Sequence, residues 1–176
     1  MTFKETHRTR SSVSGFTLIE LMVVIAIIGI LAAITIPVIG RAMESAKRAQ
    51  ASTEISSLDT AVRAYYNEYS RFPHQAAGIN EYIGGNANLM NVLRARDGEG
   101  NVNHANNPRR IMFIETTEHS MDEGNFIDPW EQPYNVAVDL NFSGEISVGD
   151  DTVERLVAVW SEGNPEDDPP RRIQSW

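Results

Sequence analysis

The sequence predicts an α+β fold, in which one long amino-terminal α-helix packs on a small antiparallel β-sheet. Two observations lead to this prediction. Residues 16–72 combine an apolar run with a segment of helical periodicity, and the last third of the chain holds short strand patterns bounded by turn-rich segments. The length of 176 residues allows one domain of ordinary size, or a small domain plus an extra element.

Composition excludes several classes of function. The chain has no cysteine, which excludes disulfide frameworks, thiolate metal sites and a catalytic cysteine. Its formal net charge is −9, and binding to nucleic acid is not expected because such binding needs basic residues to neutralise phosphates. An enzyme is not expected either, since the sequence has no nucleophile motif, phosphate-binding loop or histidine metal spacing.

The first forty residues have the composition of a membrane anchor. Residues 1–15 form a basic leader with a net charge of +2, and residues 16–39 contain a single charged side chain, Glu20. As a helix, this apolar segment would extend about 36 Å, enough to cross a hydrocarbon core of ~30 Å. The basic leader predicts a cytoplasmic amino terminus, with the residues after 40 on the far side of the membrane.

A cleaved secretory signal is the alternative interpretation of this start. Three features argue against it. The apolar run is longer than a typical signal core of about 7–15 residues, it continues without a turn into a helical pattern, and it contains Glu20. A carboxylate in an apolar span costs about 2.5–3.5 kcal/mol on insertion scales, so Glu20 is expected to have a function and a cationic partner.

The segment GFTLIE at residues 15–20, followed by the apolar run and Pro37, resembles the amino terminus of type IV prepilins and of type II secretion pseudopilins. The resemblance implies that a prepilin peptidase cuts between Gly15 and Phe16 and that the new amino-terminal Phe16 is N-methylated. It also implies that the amine of Phe16 in one subunit pairs with the Glu20 carboxylate of a neighbour during assembly. Pro37 removes one backbone donor and would loosen the helix.

The stem, residues 40–72, is predicted to continue the helix. Its apolar residues recur at spacings of four and three and form one stripe: Ala51, Ile55, Leu58, Val62, Tyr65, Tyr69 and Phe72. We expect this stripe to pack on the sheet of the head. The helix should stop near Arg71, because Pro73 disfavours helical geometry at the residue before it.

The head, residues 73–176, is predicted to hold a short helix over 86–96 and a mobile surface loop over 97–108. Strands are predicted at 111–116, 134–140 and 155–160, with a short fourth strand at 145–148. The histidines show no metal-ligand spacing and are expected at the surface. They are His7, His74, His104 and His119.

Two segments of the head resemble the major pseudopilins of type II secretion systems. Residues 128–134 (DPWEQPY) are similar to the DPWG-x-PY segment of that family, with Glu131 where the family usually has glycine. A backbone that needs a positive φ there would strain Glu131. Residues 160–163, 167–168 and 173–176 are similar to the family's S-x-G-x-D-G…DDI-x-x-W ending, with a shortened middle that carries PPRR at 169–172.

Acidic residues are concentrated late in the chain, where residues 115–168 hold 15 acids against one base, Arg155. Such a run is commonly a solvated face. Residues 139–150, however, have the order of a calcium loop, with glycine at its sixth position and oxygen-bearing side chains around it. The candidate ligands are Asp139, Asn141, Ser143, Glu145 and Asp150. Short turns of this kind also form without metal, through hydrogen bonds to the aspartate.

The resemblance implies a second place for calcium. Type II major pseudopilins bind Ca²⁺ in the carboxyl-terminal loop, which maps to Ser161, Asp167 and Asp168. Because both acidic segments leave the sheet on neighbouring strands, we expect them to converge. The sequence therefore predicts one Ca²⁺ site in the acidic carboxyl-terminal half.

By resemblance, the chain is expected to be a structural subunit of a periplasmic pseudopilus that drives type II protein secretion. It would be a single-pass protein of the bacterial inner membrane, with a cytoplasmic amino terminus and a periplasmic head, and would then polymerise with itself and with minor pseudopilins. The implied partners also include a prepilin peptidase and the inner-membrane platform of the secretion system.

Two alternatives remain. A type IV pilus subunit would serve adhesion, motility or DNA uptake, but such pilins commonly carry a carboxyl-terminal disulfide, which a chain without cysteine does not form. An anchored, calcium-dependent binding module would use the pilin-like start for export only.

Overall fold

The computed structural model describes residues 15–73 and 81–176, and the chain divides into two compact units with the boundary between Met43 and Glu44. Helix α1, Leu18–Tyr69, is 52 residues long and contributes to both units. The predicted leader lies outside the described residues except for Gly15. In the first unit the large apolar side chains from Phe16 to Met43 are exposed.

Helix α1 has the composition and length of a membrane-crossing helix. Its mean hydropathy reaches 2.9, and it is the one helix in the described part of the chain that is long and apolar enough to cross a bilayer. The helix continues through Pro37 without a break and ends at Tyr69, where Ser70 turns to a φ of 53°. The prediction that the helix stops near Arg71 is therefore confirmed.

The second unit contains a short helix and a set of short strands. Helix α2 spans Ala87–Leu93, and the strands are β1 (Glu81–Tyr82), β2 (Met121–Asp122), β3 (Asn125–Phe126), β4 (Asn135–Val138), β5 (Ile146–Val148), β6 (Asp151–Val153), β7 (Val157–Ser161) and β8 (Ile173–Gln174). Four of them form an antiparallel sheet in the order β1-β4-β7-β8. The β2–β3 and β5–β6 pairs are separate antiparallel hairpins. The predicted α+β fold is confirmed.

The core lies between the stem and the two central strands. The predicted stripe is buried from Ala51 to Tyr65 and at Phe72, with Tyr69 partly buried. It packs in one cluster with Val136 of β4 and Val159 of β7. Burying a large apolar side chain contributes about 1.5–3 kcal/mol, so this stripe explains why the stem and the sheet fold together.

The predicted strand at residues 111–116 is wrong, because residues 111–117 have no strand partner. The segment is held instead at the end of α2, where the Phe113 N–H donates to Leu93 O at 2.8 Å. The Phe113 ring packs against Tyr65 and Tyr69 of α1, with centroids 5.4 and 6.1 Å away. The apolar alternation indicated a half-buried segment correctly, but the segment packs against helices α1 and α2 and not against a strand.

The other predicted strands appear with shorter bounds. Residues 134–140 contain β4, and residues 145–148 contain β5, which pairs with the unpredicted β6. Strand β7 begins two residues after the start of the predicted 155–160 and ends one residue beyond it. The short helix predicted over 86–96 is α2, and single 3₁₀ turns follow at Val102–His104 and Glu118–Ser120.

The loop at residues 97–108 is not wholly a surface loop. Asn101 and Asn107 are fully buried and hydrogen-bond the surrounding backbone. His104 is half-buried, whereas His119 is exposed as predicted. The other two histidines lie outside the described residues.

Candidate functional site

The predicted processing point lies in a short, exposed segment before α1. Residues 15–17 have no regular secondary structure, and the Phe16 side chain is 84% exposed. A hypothetical Cβ on Gly15 would meet no atom within 4 Å, so nothing in the described chain crowds this peptide bond. The segment therefore has the open geometry that a peptidase requires.

Glu20 caps the helix on which it lies. The Thr17 N–H donates to Glu20 Oε2 at 2.8 Å, the Thr17 hydroxyl donates to the same oxygen at 2.6 Å, and the Glu20 N–H donates to Thr17 Oγ1 at 3.3 Å. This reciprocal pattern is a capping box, which satisfies free amides at a helix start. The sequence carries its signature, T-x-x-E, at residues 17–20.

An apolar groove lies beside this cap. It has a volume of about 340 Å³ and is lined by Phe16, Ile19, Glu20, Val23 and Val24. The carboxylate thus lies at the rim of an exposed apolar surface, one helical turn from the amino terminus that cleavage before Phe16 would create.

The DPWEQPY segment forms a tight turn around Asp128. The Asp128 side chain is buried, and its Oδ1 accepts hydrogen bonds from the N–H groups of Trp130 and Gln132, each at 2.9 Å. The Glu131 N–H donates to Asp128 O at 2.9 Å, and Glu131 has a φ of 66°. The strain expected for a glutamate at the family's glycine position is therefore present.

The first group of calcium candidates is divided by a hairpin. A cavity of about 290 Å³ is lined by Asp139, Asn141, Ser143 and Glu145, together with Glu81, which is not among the predicted ligands. Strand β5 follows at once, and Asp150 lies in the β5–β6 turn, where Val148 pairs with Asp151. The twelve residues are therefore not a single loop around one ion.

Asp139 already has hydrogen-bond donors on both carboxylate oxygens. Its Oδ2 accepts the Gly144 N–H at 2.7 Å, and its Oδ1 accepts the Asn141 N–H at 3.1 Å and the Ser143 hydroxyl at 3.2 Å. Burial acts to raise the pKa of Asp139, but these hydrogen bonds together outweigh burial and leave its pKa below the usual value. These are the hydrogen bonds of an aspartate turn, which forms through the aspartate side chain itself.

The second group of candidates is divided among different partners. Ser161 is buried, and its hydroxyl donates to Asp128 Oδ2 while accepting the Gly163 N–H. Asp167 forms an ion pair with Arg48 of the stem, and Asp168 is exposed.

The expected convergence of the two groups is wrong. Strands β4 and β7 are antiparallel, so their carboxyl ends lie at opposite ends of the ladder. The Asp139 N–H donates to Leu156 O, which is five residues and about 16 Å of strand from Ser161.

The predicted donors therefore do not fit a calcium site. Within residues 15–73 and 81–176, no three His, Asp or Glu side chains come together in a way that could hold a metal ion. Calcium binding by the chain stays a prediction, and an unchanged melting temperature on addition of EGTA would contradict it.

Comparison with known proteins identifies the amino-terminal segment. A family model described as the prokaryotic N-terminal methylation motif matches residues 10–36. The chain has a prepilin-type amino terminus. The exposed Gly15–Phe16 bond and the Glu20 cap both lie inside this matched segment.

Over part of its length, the chain is similar to pilins and pseudopilins. It is 48% identical over 58 residues to the type IV major pilin protein PilA of Myxococcus xanthus, which is 33% of this chain and 26% of that protein. It is 38% identical over 69 residues to the type II secretion system core protein G of Pectobacterium carotovorum, which is 39% of this chain and 44% of that protein. The core protein G of Klebsiella michiganensis is 38% identical over 74 residues, 42% of this chain and 52% of that protein.

These matches cover part of each protein. The chain spans between about a quarter and about half of the length of the curated relatives it matches. No solved structure matches the chain significantly.

Several residues that organise the head were not predicted. Asn86 is fully buried, and its amide connects β3 to the residue before β4 by binding Phe126 and Tyr134. Arg48, on the polar side of the stem pattern, reaches Asp167. No local signal distinguishes these residues, because an asparagine in a turn and an arginine on a helix are ordinary surface residues until the fold brings their partners near.

Proposed function

We propose that the chain is a structural subunit of a type II secretion pseudopilus. The observation that carries the proposal is the prepilin-type amino terminus, exposed at the start of a helix whose first part is apolar on every side. Similarity to core protein G from several bacteria favours the secretion system over other uses of this motif. The proposed role is mechanical, without enzymatic activity.

In this proposal residues 16–39 first anchor the subunit in the inner membrane, with the amino terminus in the cytoplasm and the head in the periplasm. The prepilin peptidase cuts between Gly15 and Phe16. During growth of the filament, the apolar surface of each helix leaves the lipid and packs against the same surface in neighbouring subunits. The secretion platform and minor pseudopilins are the proposed partners of this step.

Glu20 is proposed to direct assembly through its charge. The new amine of Phe16 in one subunit pairs with the Glu20 carboxylate of the next, which offsets the cost of placing both charges in an apolar filament core. In the isolated chain the carboxylate accepts hydrogen bonds from Thr17, so pairing exchanges a cap within one helix for a contact between two subunits.

A matched pair of variants tests this role. Glu20→Ala should insert in the membrane and be cleaved, yet fail to form filaments, whereas Thr17→Val keeps the carboxylate and should still assemble. Filament yield by shearing or electron microscopy is the readout, with leader cleavage measured by gel mobility. Normal filaments from Glu20→Ala would contradict the charge pairing, and equal failure of both variants would show that only the helix cap matters.

A type IV pilus subunit is the second candidate function. Similarity to the major pilin of Myxococcus xanthus and to the fimbrial protein EcpC of Eikenella corrodens, 42% identical over 73 residues, favours it. Deletion of the gene separates the two candidates. Loss of protein secretion with normal twitching motility is the result expected for a pseudopilin, and the reverse result would identify a pilin.

A further inference from the structure

The carboxyl-terminal segment, residues 161–176, is attached to the rest of the head in two ways: its end by Ile173 and Trp176, which pack on the core, and its loop by arginine side chains. It adds only the two-residue strand β8 to the sheet. Arg172 Nη1 lies 3.9 Å from Asp151 Oδ2 of β6, and its guanidinium lies 5.9 Å from the centre of the Trp160 ring, whereas its pair with Glu162 lies within the segment. Arg155 donates from Nη1 to Ser175 O at 2.7 Å.

Arg48 makes the connection to the stem. Its guanidinium pairs with Asp167, and its Nε lies 3.1 Å from Glu44 Oε1, one turn earlier on α1. The same guanidinium lies 5.9 Å from the centre of the Trp130 ring, whose Nε1–H donates to Glu44 Oε2 at 3.3 Å. The Arg48 and Asp167 side chains are 27% and 32% exposed, so their attraction is only partly screened by water.

The loop between these contacts is closed on itself. Gly163 has a φ of 81°, and a Cβ added there would lie 2.2 Å from Arg171 O. The backbones at the two ends of residues 163–171 therefore touch, which fixes the shape of the loop that presents Asp167. Ser161, at the start of the segment, is buried against Asp128.

We infer that arginine side chains, with Arg48 as the central one, hold the loop at residues 163–171 of the carboxyl-terminal segment in the place where the family resemblance implies a calcium ion, and that the order of this loop does not depend on calcium. Asp167, one of the implied ligands, already faces a guanidinium. A Ca²⁺ ion there would have to displace that pair and lie beside a like charge. The inference concerns the head alone and does not rest on the proposed function.

Hydrogen exchange measured by mass spectrometry tests the inference on the full chain in detergent micelles. Exchange of amides in residues 163–171 is compared in millimolar CaCl₂ and in EGTA. We expect the same rates in both conditions. Protection that increases by about threefold or more with calcium would overturn the inference, whether or not the chain forms filaments.

Two variants test the role of Arg48 itself. Arg48→Gln should speed exchange in residues 163–171 by about tenfold in EGTA, because a charge-assisted contact of this loop is lost. Arg63→Gln is the matched control, since Arg63 also pairs with an acid four residues away on α1, Asp59, and should leave these amides unchanged. Unchanged exchange in Arg48→Gln, or an equal increase in both variants, would overturn the inference.

Asp167→Asn removes the same pair from the other side and should reproduce the effect if Arg48→Gln does not fold. Addition of CaCl₂ to Arg48→Gln or Asp167→Asn should not restore protection. Restored protection would overturn the claim that the loop is independent of calcium.

Discussion

Glu131 has a left-handed backbone in a turn whose N–H groups converge on Asp128. Its φ is 66°, its side chain is exposed, and its N–H closes the turn on Asp128 O. The left-handed conformation costs a non-glycine residue about 1–2 kcal/mol because Cβ crowds the following carbonyl oxygen. The hydrogen bonds that converge on Asp128 hold the turn in spite of this cost.

Glu131→Gly should therefore raise the free energy of unfolding by about 1 kcal/mol, which is a rise in melting temperature of roughly 2–4 °C for a chain of this size. Glu131→Ala is the control, because it removes the charge but keeps Cβ, and it should leave the melting temperature close to that of the natural chain. Equal melting temperatures for the glycine and alanine variants would show that the backbone is not strained. Thermal unfolding followed by circular dichroism gives the measurement.

At the scale of elements, buried asparagine side chains connect segments that are not paired with each other as strands. The Asn86 side chain donates to Phe126 O at 2.9 Å and to Tyr134 O at 2.8 Å, and accepts the Phe126 N–H at 2.7 Å. It thereby connects the start of α2 to β3 and to the start of β4. Asn107 has the same role near the end of α2, where its amide donates to Val92 O and Ile111 O.

Asn86→Ala should lower the free energy of unfolding by about 2–4 kcal/mol, because the Phe126 N–H and Tyr134 O lose the amide, Phe126 O keeps only the Tyr134 N–H, and a small cavity is left. Asn141→Ala, the same substitution at an exposed asparagine, should change it by less than about 0.5 kcal/mol. Urea denaturation of the two variants in EGTA gives both values. A loss below about 1 kcal/mol for Asn86→Ala would mean that water replaces the amide.

At the scale of the whole molecule, the second unit is held by a core that includes tyrosine hydroxyls. The Tyr134 hydroxyl donates to Glu54 of the stem. Burial raises the pKa of Tyr134 well above its usual range, and the hydrogen bond to Glu54 raises it further. Burial also raises the pKa of Tyr65 and of Tyr82.

These raised pKa values predict alkaline unfolding. Below pH of about 10 the tyrosines are neutral in both states, and their contribution to stability is fully present. As the pH rises above about 10, the unfolded chain releases protons that the folded chain keeps, so the free energy of unfolding falls by up to about 1.4 kcal/mol per pH unit for each such tyrosine.

Tyr134→Phe should make the free energy of unfolding fall less steeply with pH, because one of the titrating groups is removed. Tyr66→Phe is the control, since the Tyr66 ring is half-buried against Phe72 rather than bonded to a carboxylate. The measurement is urea denaturation between about pH 8 and 11. If the free energy of unfolding falls equally steeply with pH in the natural chain and in Tyr134→Phe, Tyr134 does not contribute to the alkaline loss of stability.

Much of the fold could be predicted because its signals are local. The apolar run, the stem stripe and the strands β4 and β7 each follow from a period along the chain. The segment at 111–116 was mispredicted because periodicity reports burial but not the identity of the neighbour, which here is α2 and α1. The loop at 97–108 was mispredicted because an asparagine pattern does not reveal that two of its amides bind backbone inside the core.

The sequence by itself determined the prepilin-type amino terminus, the apolar anchor and the excess of acid in the carboxyl-terminal half, since each is a property of adjacent residues. The tertiary structure alone decided which acid meets which partner. Asp139 and Ser161 lie at opposite ends of an antiparallel ladder, and Asp167 meets Arg48 from 119 residues away. The net charge of a segment follows from its residues alone. Which charges come into contact depends on strand direction and on the packing of the stem, and neither can be predicted from a local pattern.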